Sequence, residues 1–194
     1  MSAMADSSAS RAPLGSICVY CGSSNSTRPA YLDLATRLGA ALAARKIRLV
    51  YGGGSVGLMG RCARGALDAG GEVLGVMPRF LERREIVLNE APHRMVDTMH
   101  ERKAIMFAES DGFIVLPGGI GTLEEAVETL SWGRLGLHRK PVVFLSEDDF
   151  WAPFFQLIQH TVEANLTPAD FLDTTLQANS IEDCLALLER HVAA

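Results

Sequence analysis

Gly112-Phe113-Ile114-Val115-Leu116-Pro117-Gly118-Gly119-Ile120-Gly121-Thr122-Leu123-Glu124-Glu125 reads as a buried strand, a glycine loop and the start of a helix. The apolar run Gly112 to Leu116 suits a central strand, and Pro117 closes it. Gly118, Gly119 and Gly121 free the backbone, and Thr122 stands where a helix N-cap belongs. Several amides and a threonine hydroxyl there could hold a phosphate. A plainer reading competes, because Thr122-x-x-Glu125 is also a capping box, in which the glutamate only returns a hydrogen bond to the cap. On the following helix Glu125 shares a face with Glu128, Thr129 and Trp132, whereas Glu124 is turned away by about 100°.

The same alternation recurs on both sides of this stretch. Strands are expected at Ser16 to Tyr20, Ile47 to Tyr51, Glu72 to Met77, Arg94 to Val96, Gly112 to Leu116 and Pro141 to Leu145. Helical spacing runs from Pro29 to Arg45, through Leu34, Leu38, Ala41 and Leu42, and from the 52–60 loop to Ala69. Further helices are expected at Met99 to Glu109, from Thr122, at Trp151 to Ala164 and at Ile181 to His191. Residues 79–92 read as a short helix and loop, and Phe171 to Leu176 as a short segment. This order predicts one α/β domain, a doubly wound, mostly parallel sheet of Rossmann-like type. In such sheets ligands bind outside the carboxyl ends of the strands, and the loops after strands one, two and five bring glycines to that edge.

The second of these loops, Gly52-Gly53-Gly54-Ser55-Val56-Gly57-Leu58-Met59-Gly60, could present amides to an anion at a helix N-terminus. It contains the spacing of a dinucleotide fingerprint but lacks the ribose-binding acid, since Glu72 begins a strand rather than ending one. Glycines serving only a tight turn are the alternative. A basic pair, Arg102 and Lys103, follows His100 and Glu101 near the start of a helix at the expected ligand edge. An arginine there could hold a phosphate or carboxylate bidentately, although a basic pair on a helix is more often a solvated face.

The bulk properties narrow the function. The 194 residues carry a formal net charge of -5, with 48% apolar and 21% charged residues, so no global field favours nucleic acid or an anionic membrane. No stretch approaches the roughly 20 apolar residues of a membrane span. Met1 to Pro13 is Ser/Ala-rich without a hydrophobic signal core and is expected to be a disordered leader before a domain spanning 14–194. Cys18, Cys21, Cys62 and Cys184 show no disulfide framework. Cys18-x-x-Cys21 lies in a strand, whose residues i and i+3 face opposite ways, so a shared metal is not expected. Reduced cysteines and no export signal favour the cytoplasm. His93, His138, His160 and His191 are scattered, and none is given a role.

Taken together, these residues resemble the LOG ("lonely guy") family of cytokinin-activating phosphoribohydrolases. The family's Pro-Gly-Gly-x-Gly-Thr-x-x-Glu motif is matched by Pro117, Gly118, Gly119, Gly121, Thr122 and Glu125, and its Met-His-x-Arg-Lys segment by Met99, His100, Arg102 and Lys103. Cys21-Gly22-Ser23-Ser24, Tyr51 to Gly60, Arg84-Glu85-Ile86, Trp132 with Leu135 to His138, and Lys140-Pro141-Val142 extend the resemblance from about Ser16 to His160. The resemblance implies hydrolysis of an N6-modified adenosine 5′-monophosphate to free base and ribose 5-phosphate, with Arg102 and Glu125 catalytic. Substrate binding is implied for Gly22, Ser23, Gly53, Gly54, Met59, Glu85, Met99, Lys103, Pro117, Gly118, Gly119, Ile120, Gly121, Thr122, Ser131 and Trp132. Ser131 stands where plant members carry threonine, and Ile120 where they carry tyrosine. The resemblance also implies a homodimer, and neither metal nor cofactor is expected. Relatives bear an older lysine decarboxylase label, for which the residues offer no support. Alternatives are a non-catalytic nucleotide or molybdenum-cofactor carrier, an AMP nucleosidase indifferent to the N6 group, and a dinucleotide redox enzyme, weakened by the missing acid.

Overall fold

The computed structural model describes residues 14–82 and 86–192, so the expected leader lies outside the described residues. Its elements are β1 (Ser16–Tyr20), α1 (Pro29–Ala44), β2 (Arg48–Tyr51), α2 (Gly57–Asp68), β3 (Val73–Pro78) and β4 (His93–Val96), followed by α3 (Met99–Ala108) and β5 (Gly112–Val115). The chain then forms α4 (Ile120–Arg134), β6 (Val142–Leu145), α5 (Ala152–Glu163), β7 (Thr175–Ala178) and α6 (Ile181–Val192). Short 3-10 turns occupy Arg79–Leu81 and Ala169–Thr174.

All seven strands join one parallel sheet in the order β4-β3-β2-β1-β5-β6-β7. The chain builds outward from β1 to β4, crosses back through α3 and builds outward again from β5. The switch point therefore lies between β1 and β5, where Val19 pairs with Ile114 and Tyr20 with Val115. Beyond these pairs the Gly22 N–H donates to the Pro117 carbonyl at 3.1 Å, which pins the two diverging loops together.

Strand periodicity divides the core by parity. Ile17, Val19, Cys21, Leu49, Tyr51 and Ile114 pack on one face against α1, α2 and α6, through Leu34, Leu38, Leu58, Leu185 and Leu188. Cys18, Tyr20, Val50, Phe113, Val115 and Phe144 pack on the other, against Met106 of α3 and Ala126 and Leu130 of α4. Cys18 and Cys21 thus sit on opposite sides of the sheet, as their spacing in a strand requires. Helices α1 and α2 touch closely at Gly39, where a Cβ would lie 2.0 Å from the Cys62 carbonyl oxygen.

Two features differ from the sequence expectation. Thr175–Ala178 is a seventh strand, paired with β6 from Val142↔Thr175 to Leu145↔Ala178, although TLQA has little apolar run of its own. Helix α4 also begins at Ile120, two residues before Thr122.

Candidate active site

That early helix start overturns the capping-box reading. The N-cap of α4 is Gly119, without a side-chain cap, and the Leu123 N–H donates to the Gly119 carbonyl at 3.0 Å. Thr122 is the third helical residue, only 4% exposed. Its Oγ1 fills the space beside Gly118, where a Cβ would come within 2.1 Å. The first amides of a helix have no partner within it, and Ile120, Gly121 and Thr122, which carry them here, line the cleft at the β1–β5 switch point. Glu125 stands one turn inside the helix, beyond the capping-box position.

Glu125 meets an arginine from the neighbouring helix. Arg102 Nη2 lies 3.8 Å from Glu125 Oε1, and the two side chains are only 6% and 12% exposed. Helix α3 is itself capped by Thr98, whose Oγ1 accepts from the Glu101 N–H at 3.1 Å, so Arg102 projects from a well-formed first turn. Its guanidinium is otherwise lightly held. Nη1 approaches Met99 Sδ at 3.9 Å, and the buried Nε makes no hydrogen bond among the described residues.

The basic pair divides its work. Lys103 bonds Glu124 and, at 2.9 Å, Glu128, tying α3 to α4 beside the cleft. Burial opposes the ammonium charge, but hydrogen bonds to both glutamates outweigh it and hold the Lys103 pKa above its ordinary value. On the sheet face below Glu125, the Tyr20 hydroxyl lies 3.1 Å from Thr129 Oγ1, which donates to the Glu125 carbonyl at 2.9 Å. Burial also lifts the Cys18, Cys21 and Tyr20 pKa values well above the usual range, so these groups are neutral at physiological pH and none is a ready nucleophile.

A cavity of about 450 Å³ opens at this point, within the range of small-molecule sites. Of the residues expected from sequence, it brings together Gly22, Ser23, Met59, Met99, Arg102, the whole run Pro117 to Thr122, and Glu125. Ile120 is 84% exposed at its mouth. Gly53, Gly54, Lys103, Ser131 and Trp132 do not line it. The Gly53 carbonyl lies 3.0 Å from His93 Nε2, and Gly54 bridges Val87. Trp132 packs edge-on against Phe107, two turns beyond Glu125 on α4, and exposed Ser131 is its neighbour. Glu85 lies outside the described residues.

The second glycine loop is therefore not the anion cradle that its sequence suggested. The Leu58 N–H donates to the Gly22 carbonyl at 2.9 Å and the Gly57 N–H to Asn25 Oδ1 at 2.8 Å, so the N-terminus of α2 is satisfied by the first loop. Sequence reasoning also missed Ser24, Thr27, Tyr31, Leu58, Leu81 and Phe150, all on the cavity wall. Tyr31 and Phe150 meet edge to face at 5.6 Å, and the Tyr31 hydroxyl donates to Asp148 at 2.7 Å. Nothing local links residues so far apart in the chain. Only the position of Tyr31, in the first helix after the β1 loop, pointed to this edge.

Comparison with known proteins bears on the same residues. Residues 59–188 match a protein family described as "Possible lysine decarboxylase". The chain is 43% identical over 177 residues to the cytokinin riboside 5′-monophosphate phosphoribohydrolase LOG of Oryza sativa subsp. japonica, covering 91% of this chain and 73% of that protein. It is 40% identical over 182 residues to LOG4 of Arabidopsis thaliana, a protein of the same name, covering 93% of this chain and 85% of that one. Among solved structures, the molybdenum cofactor binding protein of Rippkaea orientalis superposes with a TM-score of 0.68 at 26% identity, over 92% of this chain and 97% of that one. Among the described residues, no helix is long and apolar enough to cross a membrane.

Proposed function

Since this chain belongs to the family of the cytokinin riboside 5′-monophosphate phosphoribohydrolases, we propose that it hydrolyses the N-glycosidic bond of N6-modified adenosine 5′-monophosphates, and of AMP, to free base and ribose 5-phosphate. The observation that carries this reading is the shielded Arg102–Glu125 pair, one helical turn from an open helix N-terminus.

Cleavage of the bond between C1′ and the base nitrogen builds positive charge on the sugar. A carboxylate held largely out of water stabilises that charge and takes the proton of the attacking water. Glu125 has this role. The water oxygen bonds to C1′ as the C1′–N electron pair leaves with the base, which takes a proton from solvent while Glu125 returns the water's proton to solvent. Arg102, at 3.8 Å, pairs with the Glu125 carboxylate and orients the nucleotide. The amides at 119–122 and the Thr122 hydroxyl take the 5′-phosphate. That phosphate is remote from the broken bond, so its binding energy can position the sugar. Glycosidases use two carboxylates, whereas one carboxylate and a buried cation do the work here.

The decarboxylase description of the family finds no matching chemistry in this cavity. Lys103 is engaged by Glu124 and Glu128, and the Lys140 ammonium donates to the Phe107 carbonyl at 2.7 Å. Neither lines the cavity.

The same reading takes residues 14–194 as one nucleotide-binding unit after a leader, acting in the cytoplasm as a homodimer without metal or cofactor. The exposed Ile120 and Val127, seven residues apart on one side of α4, support association of two copies there, and four free, buried cysteines suit a reducing compartment.

The test is to incubate the protein with AMP and with isopentenyladenosine monophosphate and to measure free base and ribose 5-phosphate. Release from both is expected, and release from the second alone would confine the reaction to N6-modified nucleotides. Release from neither replaces this reading with a carrier function, for which the likeness to the Rippkaea protein is the supporting observation.

A further inference from the structure

Gly52 follows the last residue of β2 and faces the guanidinium of Arg102. A Cβ at Gly52 would lie 2.0 Å from Arg102 Nη2, 3.1 Å from Arg102 Cζ and 3.0 Å from Met59 Sδ. The usual reason for glycine does not apply here. Gly53 and Gly57 have φ of 84° and 61°, where a side chain is strained, but Gly52 is not among the positive-φ residues. An alanine could adopt its backbone. What excludes a side chain is the arginine.

This contact matters because so little else holds the guanidinium. It is buried, its Nε makes no hydrogen bond among the described residues, and the nearby sulfurs of Met59 and Met99 are weak acceptors. Few directional bonds fix its place, so the shape of the surrounding slot does so instead. One wall of that slot is the bare Cα of Gly52.

We propose that Gly52 is a positioning residue for Arg102, its missing side chain opening the slot that sets the guanidinium beside Glu125. The inference rests on the hydrolase reading above, in which Arg102 and Glu125 act on the nucleotide. It assigns the second glycine loop a purpose other than phosphate binding. A methyl group at Gly52 displaces the tip of a long, flexible side chain by more than an ångström and leaves the backbone where it is.

The experiment is a kinetic comparison of base release by wild type, Gly52→Ala, Arg102→Lys, the Gly52→Ala/Arg102→Lys double variant and Arg102→Ala, with thermal unfolding of each. Lysine has no Nη2, the atom that the added methyl meets at 2.0 Å, so the severe overlap is gone. Gly52→Ala is expected to lower kcat about 100-fold, the cost of an ångström-scale misplacement. KM should stay within about 3-fold, because the amides that take the phosphate are untouched. In the Arg102→Lys background the same alanine should cost less than about 2-fold, the non-additivity expected of residues in contact. An undiminished kcat for Gly52→Ala overturns the proposal, as does an equal loss in both backgrounds. A Gly52→Ala protein that fails to fold overturns it too, since the guanidinium and not the backbone has to give way. Wild-type turnover by Arg102→Ala overturns the proposal as well, by removing Arg102 from the chemistry, whereas absence of base release by the wild type removes the hydrolase reading from which this inference starts.

Discussion

Arg102 Nη2 and Glu125 Oε1 lie 3.8 Å apart, contributed by adjacent helices on one face of the sheet and both largely shielded from water. The carboxyl and guanidinium groups so placed lie at the edge of a cavity whose wall includes the N-terminus of α4. In the proposed reaction two tasks separate along α4: its first turn takes the anion, and its second acts on the sugar.

Glu125→Gln tests the second task. Because Gly119 rather than Thr122 is the N-cap, Glu125 does not hold the capping-box position, and the amide nearly preserves its shape. We expect a folded protein whose kcat for base release falls by about 1000-fold, the scale of a lost general base. Its nucleotide affinity, measured by calorimetry, should remain. Near-wild-type turnover would remove Glu125 from the chemistry.

Gly118→Ala tests the first. The added methyl meets Thr122 Oγ1 at 2.1 Å and must push it or the loop aside. The 5′-phosphate loses contacts, so KM for the nucleotide should rise by about 10-fold or more, the effect of roughly 1.4 kcal/mol of lost binding. The same variant should bind the unphosphorylated nucleoside as well as wild type does, and a parallel loss for both ligands would contradict a phosphate role.

Thr129 and Tyr20 should show coupled stability. The single Thr129 hydroxyl proton goes to the Glu125 carbonyl, so Tyr20 is the donor in their 3.1 Å contact. Thr129→Val leaves the buried Tyr20 hydroxyl without its acceptor, at a cost of about 2 kcal/mol. Tyr20→Phe in the same chain removes the orphaned group, so the double variant should unfold at higher urea than Thr129→Val alone. A double variant that is less stable than the single one would show that the hydroxyl pair is not what links α4 to β1.

Glu109 gives a pH dependence of defined sign. A hydrogen bond from Arg48, with the charge of Arg94, outweighs partial desolvation and holds its carboxyl below the ordinary range. A depressed folded pKa stabilises the protein above the unfolded value, about pH 4.3, and the contribution disappears as pH falls through the folded value. Glu109→Gln should therefore cost about 1 kcal/mol at pH 7, a partly exposed network being worth no more. Urea midpoints of variant and wild type should converge below about pH 4. A constant gap across that range would assign the effect to packing instead.

Local sequence determined the scaffold and the neighbourhood of the site. Apolar runs such as Ile17 to Tyr20 and Phe113 to Leu116, each with a glycine two residues beyond its end, are legible because strand and turn preferences act over a few residues. The Pro117 to Glu125 motif and the Met99 to Lys103 segment pointed to a family and to the residues that meet in the cleft. Three things were decided only by tertiary structure. The seventh strand owes its conformation to pairing with β6 rather than to the character of Thr175 to Ala178. Thr122 and Glu125 spell a cap, yet the helix begins at Ile120, in a loop that the Gly22–Pro117 hydrogen bond pins across 95 residues of chain. The two glycine loops look alike as text, but Gly22 and Asn25 satisfy the amides of α2, and Gly52 makes room for Arg102. Which helix end stays open to a ligand depends on which partners arrive from elsewhere in the chain, and a local pattern carries no record of them.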